Sequence, residues 1–129
     1  MAEIDLMKRY PKSKRKEIIE ERIKVSEKDR VIARQFGWEY FDGPRHLGMG
    51  GYHYDSKYFN HVVADMIEYY GLTDESSVLD VGCAKGFMLH DLKKALPRMK
   101  VDGVDISTYC LDNAKESVKR YLKYASCEA

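Results

Sequence analysis

The sequence has 129 residues, of which 44% are hydrophobic and 33% charged, and its net charge is +1. This length and composition predict one folded unit and exclude a disordered or collagen-like chain. The balanced charge gives no overall attraction to nucleic acid or membranes, and no apolar run approaches the roughly 18 residues of a membrane span. Acidic residues near the start argue against a secretory signal, so we expect a cytoplasmic protein without membrane contacts.

The cysteines and histidines show no metal-site spacing. Cys83, Cys110 and Cys127 form no close CxxC pair, and the four histidines lack the HExxH arrangement. This pattern disfavours a disulfide framework and a zinc site, and it fits a reducing compartment. We therefore expect no metal ion.

Residues 1–55 predict a helical extension followed by a loop rich in glycine and aromatic residues. A helix is expected over 12–24, and its basic stretch at 12–16 could contact phosphate. Neighbouring acids favour a solvated helix face instead, so we do not expect nucleic acid as a partner.

A second short helix and a long loop complete this N-terminal region. Ser26 and Asp29 resemble a capping box that begins the helix, and Gly37 is expected to end it. The loop 37–55 is either a ligand-contacting lid or a structural loop packed by its own aromatic side chains.

Residues 56–129 predict alternating helices and strands. Apolar residues at helical spacing indicate a helix over 56–70 that ends at Gly71. The predicted elements that follow are strand 78–81, helix 87–96, strand 101–104 and helix 108–123. Residues 124–129 resemble the approach to a third strand and its loop. Strand, Gly-containing loop, helix and strand form a βαβ unit.

Two features at the carboxyl ends of these strands point to a nucleoside ligand. In the loop 82–86, glycines allow close approach to the backbone, and free N–H groups at the helix start attract polar ligand atoms. Asp105 ends the second strand, where a carboxylate accepts hydrogen bonds from ribose hydroxyls. The dinucleotide fingerprint fails at Ala84 and Phe87. The carboxylate of Asp80 suits an amino group better than a pyrophosphate, so charge favours S-adenosylmethionine (SAM) over NAD.

The segments VLDVGCAKGFMLHDL (78–92) and VDGVDIS (101–107) resemble the first motif and the acidic strand end of class I SAM-dependent methyltransferases. The resemblance implies a Rossmann-like sheet that binds SAM over the ends of its first two strands. The cofactor-binding residues that it implies are Asp80, Gly82 and Gly86 around the methionine part, Cys83 and Ala84 through their backbone, Asp105 at the ribose and Ile106 beside the adenine. Ala84 replaces the commoner middle glycine. Tyr52, from the aromatic loop, is added as part of a lid over the cofactor.

The resemblance covers residues 56–129, which is the front of a sheet that has seven strands in that family. We therefore expect an α/β, Rossmann-like sheet truncated after its second or third strand, with an open apolar face and an open strand edge. Such a sheet favours a homodimer, a domain swap or a completing partner chain. The alternative is that the first two helices, over 12–36, cover the open face.

The expected function is that of the cofactor-binding portion of a SAM-dependent methyltransferase. Its acceptor is an unidentified small molecule, and this chain alone is expected to be inactive because most of the substrate side is missing. No catalytic residue is assigned, and Tyr52, His53 and His46 are the candidates for a base. The alternative is a non-catalytic SAM- or nucleoside-binding or scaffold module.

Overall fold

A computed structural model describes residues 3–11 and 25–126. The predicted helix over 12–24, its basic stretch and Cys127 lie outside the described residues. The described helices are α1 (Glu27–Ala33), α2 (Trp38–Phe41), α3 (Ser56–Tyr70), α4 (Phe87–Ala95) and α5 (Thr108–Asp112). The strands are β1 (Ser77–Val81), β2 (Lys100–Asp105) and β3 (Leu122–Tyr124), and 3-10 turns form at Arg45–Leu47 and Lys119–Tyr121.

The three strands form one parallel sheet in the order β1-β2-β3. Asp80 of β1 lies opposite Gly103 of β2, and Gly103 lies opposite Leu122 of β3. α4 connects β1 to β2, as in a βαβ unit. The predicted α/β, Rossmann-like sheet with a third strand is therefore confirmed.

The core lies on one face of this sheet. α3 packs against α4, and the buried side chains between these helices and the strands are Val63, Leu89, Leu92, Met99, Val101 and Val118. On the other face, Leu79 and Val81 are 60% and 56% exposed. α1 does not cover them, so within the described chain one apolar face of β1 is open, as the sequence predicted.

The region before α3 differs from the prediction in two respects. Ser26 and Asp29 form the predicted capping box, but α1 ends at Ala33, and it is Phe36 rather than Gly37 that adopts a left-handed backbone, at φ +49°. The predicted loop 37–55 is also partly helical, because it contains α2 and a 3-10 turn around the buried side chains of Phe41 and Leu47.

The predicted helix over 108–123 is wrong beyond Asp112. The N–H of Lys115 donates to the carbonyl of Lys85 (2.9 Å), which draws the following segment toward the loop after β1 instead of continuing the helix. Val118 is still fully buried, but it reaches the core from a turn, and Leu122 enters β3. The inward apolar pattern of this segment was therefore correct, although its helical interpretation was not.

Candidate functional site

The loop 82–86 is held tightly between β1 and α4. The N–H groups of Gly82 and Cys83 both donate to the carbonyl of Val104 (2.8 and 3.0 Å), and that of Gly86 donates to the carbonyl of Cys83 (2.9 Å). The N–H of Ala84 donates to a carboxylate oxygen of Asp105 (2.8 Å). The expectation of free N–H groups is therefore wrong for these four residues, because each donates within the protein.

Asp105 lies at the carboxyl end of β2 and connects the loop 82–86 to the segment that follows β2. Its Oδ2 accepts from Ala84, and its Oδ1 accepts from the N–H of Ser107 (2.7 Å). Each carboxylate oxygen has a second lone pair, so both are still able to accept a further hydrogen bond from a ligand hydroxyl.

A cavity of about 310 Å³ opens beside Asp105. Five of the predicted cofactor-binding residues line it: Tyr52, Gly82, Ala84, Asp105 and Ile106. The space beside the Cα of Gly82 is open, and its φ of +81° favours glycine. The structure therefore brings these five residues together at one site.

The remaining predicted residues, Asp80, Cys83 and Gly86, do not line the cavity. A Cβ on Gly86 would lie 2.8 Å from Val118, so the glycine is needed there for packing. Cys83 is buried against Gly103 of β2, and its burial, with the nearby charge of Asp80, raises the pKa of its thiol to about 12. Cys83 and Gly86 therefore pack on the core side of the loop 82–86.

Asp80 is half-buried at the end of β1. Burial, reinforced by repulsion from Asp105, raises the pKa of Asp80 to about 6. The described part of the chain offers its carboxylate no counter-ion or hydrogen-bond donor. A cation bound here would therefore stabilise the ionised form.

The loop that precedes α3 is attached to the site by a buried ion pair that the sequence analysis missed. Lys85 Nζ lies 2.7 Å from Asp42 Oδ2 and 2.8 Å from the carbonyl oxygen of Tyr52, and the Lys85 side chain is only 7% exposed. Asp42 also accepts from the N–H of Tyr52 (2.7 Å) and the hydroxyl of Tyr109. Burial alone would raise the pKa of Asp42, but the bonds from Lys85 and Tyr109 outweigh it and lower that pKa to about 2.

Four further lining residues come from the N-terminal region: Phe36, Tyr40, Phe41 and Met49. The clustering of aromatic residues at 38–54 was the sequence signal for them, but nothing local identified Phe36. The candidate base Tyr52 has its pKa raised by burial, so it stays a neutral phenol. His46 and His53 are exposed and do not line this cavity.

Comparisons with known proteins agree with the predicted resemblance. Residues 78–128 match the family model of a methyltransferase domain. The match includes the motif segments at 78–92 and 101–107 on which the resemblance to class I SAM-dependent methyltransferases rests, and it confirms that resemblance for this part of the chain. No curated protein sequence matches the chain significantly.

Two solved structures are similar to the chain over part of their length. A crystal structure of MccD protein shares 27% identity over 48% of this chain and 29% of its own, with a TM-score of 0.41. A crystal structure of coclaurine N-methyltransferase bound to N-methylheliamine and SAH shares 19% identity over 90% of this chain and 39% of its own, with a TM-score of 0.42. The chain therefore spans less than half the length of either protein.

Among residues 3–11 and 25–126, no helix is both long and apolar enough to cross a membrane. The same described residues contain no group of three histidine, cysteine or acidic side chains that could hold a metal ion.

Proposed function

We propose that the chain binds SAM at the carboxyl ends of β1 and β2 and serves as the cofactor-binding portion of a methyltransferase. The observation that carries this proposal is the position of Asp105, which joins the loop 82–86 through Ala84 and also lines the cavity. A carboxylate at this place in a Rossmann-like sheet is suited to a ribose.

The charge of Asp80 supports a cationic ligand. Its carboxylate is half-buried, has a pKa of about 6 and finds no counter-ion in the described chain. SAM carries an ammonium and a sulfonium group, both of which favour an ionised carboxylate nearby. When bound, SAM supplies an electrophilic methyl group, while the chain's own residues hold and orient the cofactor.

Titration calorimetry with SAM and with SAH tests the proposal. We expect binding that is weakened at least tenfold in Asp105→Ala and left within twofold of wild type in Asp102→Ala, the matched control three residues earlier on the same strand. No heat with either compound, or equal binding by Asp105→Ala, would contradict the proposal. An absence of binding would favour the non-catalytic scaffold.

The pH dependence of the SAM affinity gives an independent test of Asp80. Because a cation favours the ionised carboxylate, the affinity should rise as the pH increases through about 6 and level off above 7. Asp80→Asn should bind SAM more weakly and lose this rise. A wild-type profile that is flat between pH 5 and 7.5 would remove Asp80 from the site.

We further propose a small-molecule acceptor, a cytoplasmic location and no methyl transfer by this chain alone. The near-neutral net charge supports a small-molecule acceptor, since it offers no general attraction to nucleic acid. The cavity lining supports the absence of methyl transfer by this chain alone, since among the described residues that line it Asp105 is the one with a charged side chain. Incubation with radiolabelled SAM and a panel of small amines, phenols and carboxylic acids should give no labelled product, and a labelled product would contradict this part of the proposal.

A further inference from the structure

Two residues in strained backbone conformations meet at the candidate site. Within residues 3–11 and 25–126, Phe36 and Ala84 are the non-glycine residues with positive φ, at +49° and +51°. Left-handed backbone is unfavourable for residues with a Cβ, and such strain concentrates at ligand-binding sites. Both residues line the 310 Å³ cavity, although they lie 48 residues apart in the sequence.

Phe36 is held in this conformation by contacts at both ends of its backbone. Its N–H donates to the carbonyl of Ala33 (3.1 Å), and its carbonyl accepts a hydrogen bond from the hydroxyl of Ser107 (2.5 Å). Ser107 is 2% exposed, and its N–H donates to Asp105 Oδ1 (2.7 Å). One buried serine therefore connects Phe36 to the carboxylate at the end of β2.

The surroundings of Phe36 suit a flat heterocyclic ring. Its half-buried ring packs edge-on against Tyr40, with centroids 5.1 Å apart, and shares the cavity with the side chain of Ile106. In a nucleoside the base is bonded directly to the ribose. A ribose held by Asp105 therefore puts the base within reach of the apolar residues beside it.

We propose that Phe36 stacks on the base of the nucleoside ligand and that Ser107 is a positioning residue that sets Phe36 relative to Asp105. This inference rests on the proposed function and adds to it a contact from outside the segment 78–128 that matches the methyltransferase domain. The left-handed backbone at Phe36, which a glycine would adopt without strain, is then the cost of presenting an aromatic ring at this point.

Calorimetric titration of the full chain with SAH and with adenosine tests the inference. Phe36→Ala should weaken both ligands by a similar factor of about ten or more, because both carry the base. Phe36→Tyr retains the ring and should stay within twofold of wild type. The matched control is Trp38→Ala, because Trp38 is a 52% exposed aromatic residue on the same segment that does not line the cavity. This variant should also stay within twofold.

The role of Ser107 is tested with the double variant Phe36→Ala/Ser107→Ala. If the serine acts through Phe36, Ser107→Ala weakens SAH binding in the wild-type background but adds less than twofold in the Phe36→Ala background. Near-ultraviolet circular dichroism confirms that each variant is folded at the titration temperature. Equal losses in both backgrounds would show that Ser107 does not position Phe36.

The outcomes separate this inference from the proposed function. If wild type binds SAH but Phe36→Ala binds it within twofold as well, the stacking role is overturned and the SAM site stands. If wild type binds neither SAH nor adenosine, both proposals are overturned.

Discussion

Replacing Lys85 with methionine should destabilise the protein through Asp42. Methionine matches the lysine side chain as far as its Cε atom but lacks the ammonium group that lies 2.7 Å from the carboxylate. Asp42 is only 12% exposed, so the variant leaves a largely buried carboxylate without its counter-ion. Breaking a buried pair in this way costs about 3–5 kcal/mol, and we expect a value near the lower end, about 3 kcal/mol, because Tyr109 and the N–H of Tyr52 still donate to Asp42.

The pH dependence gives a second magnitude, which covers Lys85 together with the hydrogen bonds from Tyr109 and Tyr52 to Asp42. The difference between the pKa of about 2 and the ordinary 3.8 corresponds to about 2 kcal/mol of unfolding free energy at neutral pH, reduced somewhat by residual solvent contact. Because the pKa of Asp42 is depressed in the folded state, this stabilisation is present above pH 3.8 and is lost as the pH falls through about 2. The stability gap between wild type and Lys85→Met should therefore narrow between pH 5 and pH 2.

Urea unfolding followed by circular dichroism at several pH values measures both effects. Lys85→Met/Asp42→Asn should be more stable than Lys85→Met alone, since it leaves no uncompensated charge. The matched control is Lys57→Met, which removes an exposed partner of Asp55 and should change the unfolding free energy by less than about 0.5 kcal/mol. A loss below about 1 kcal/mol in Lys85→Met, or a gap that stays constant from pH 5 to pH 2, would refute the reasoning.

Three further predictions concern other parts of the fold. Tyr54→Phe removes the hydroxyl that donates to Asp91, whose other carboxylate oxygen already lacks a partner in the described chain. Urea unfolding should therefore show a loss of about 1–3 kcal/mol in the free energy of unfolding, and an unchanged midpoint would contradict this. Gly103→Ala places a Cβ 2.9 Å from the side chain of Cys83, so thermal unfolding should show a loss of about 1–3 kcal/mol in the free energy of unfolding. An unchanged Tm would contradict this and show that the loop 82–86 shifts to accommodate the methyl group. The open sheet face should associate, so light scattering should give a mass above one chain that falls in Leu79→Lys; a single-chain mass without binding of an apolar dye would oppose it.

The sequence was informative where local patterns determine the structure. α3 has the predicted bounds because its apolar spacing, the Asp55 cap and the left-handed Gly71 all act within one segment. The strand ends followed from short apolar runs, and the position of Asp105 followed from the end of β2. The closeness of Asp105 to Ala84 was predictable because the carboxyl ends of parallel strands meet at the same edge of a sheet.

Features that depend on distant contacts were not predictable from one sequence. The left-handed backbone of Phe36 depends on the hydroxyl of Ser107, 71 residues away, whereas a local rule assigns that conformation to Gly37. The ion pair between Lys85 and Asp42 spans 43 residues and has no local signature. The break in helix 108–123 depends in the same way on a hydrogen bond to another loop.

The contacts of Lys85 also bear on whether the N-terminal region, residues 1–55, can be removed from the rest of the protein. The Lys85 ammonium group is paired with Asp42, which precedes α3 in the sequence. Its carbonyl oxygen accepts a hydrogen bond from the N–H of Lys115, which follows β2. A truncation that begins at residue 56 would retain the whole methyltransferase motif but remove both the carboxylate of Asp42 and the carbonyl of Tyr52 that hold the Lys85 ammonium. We therefore expect the truncated chain to be less stable than the full chain, and we expect amide exchange in the loops around Asp42 and Lys85 to occur through one cooperative opening.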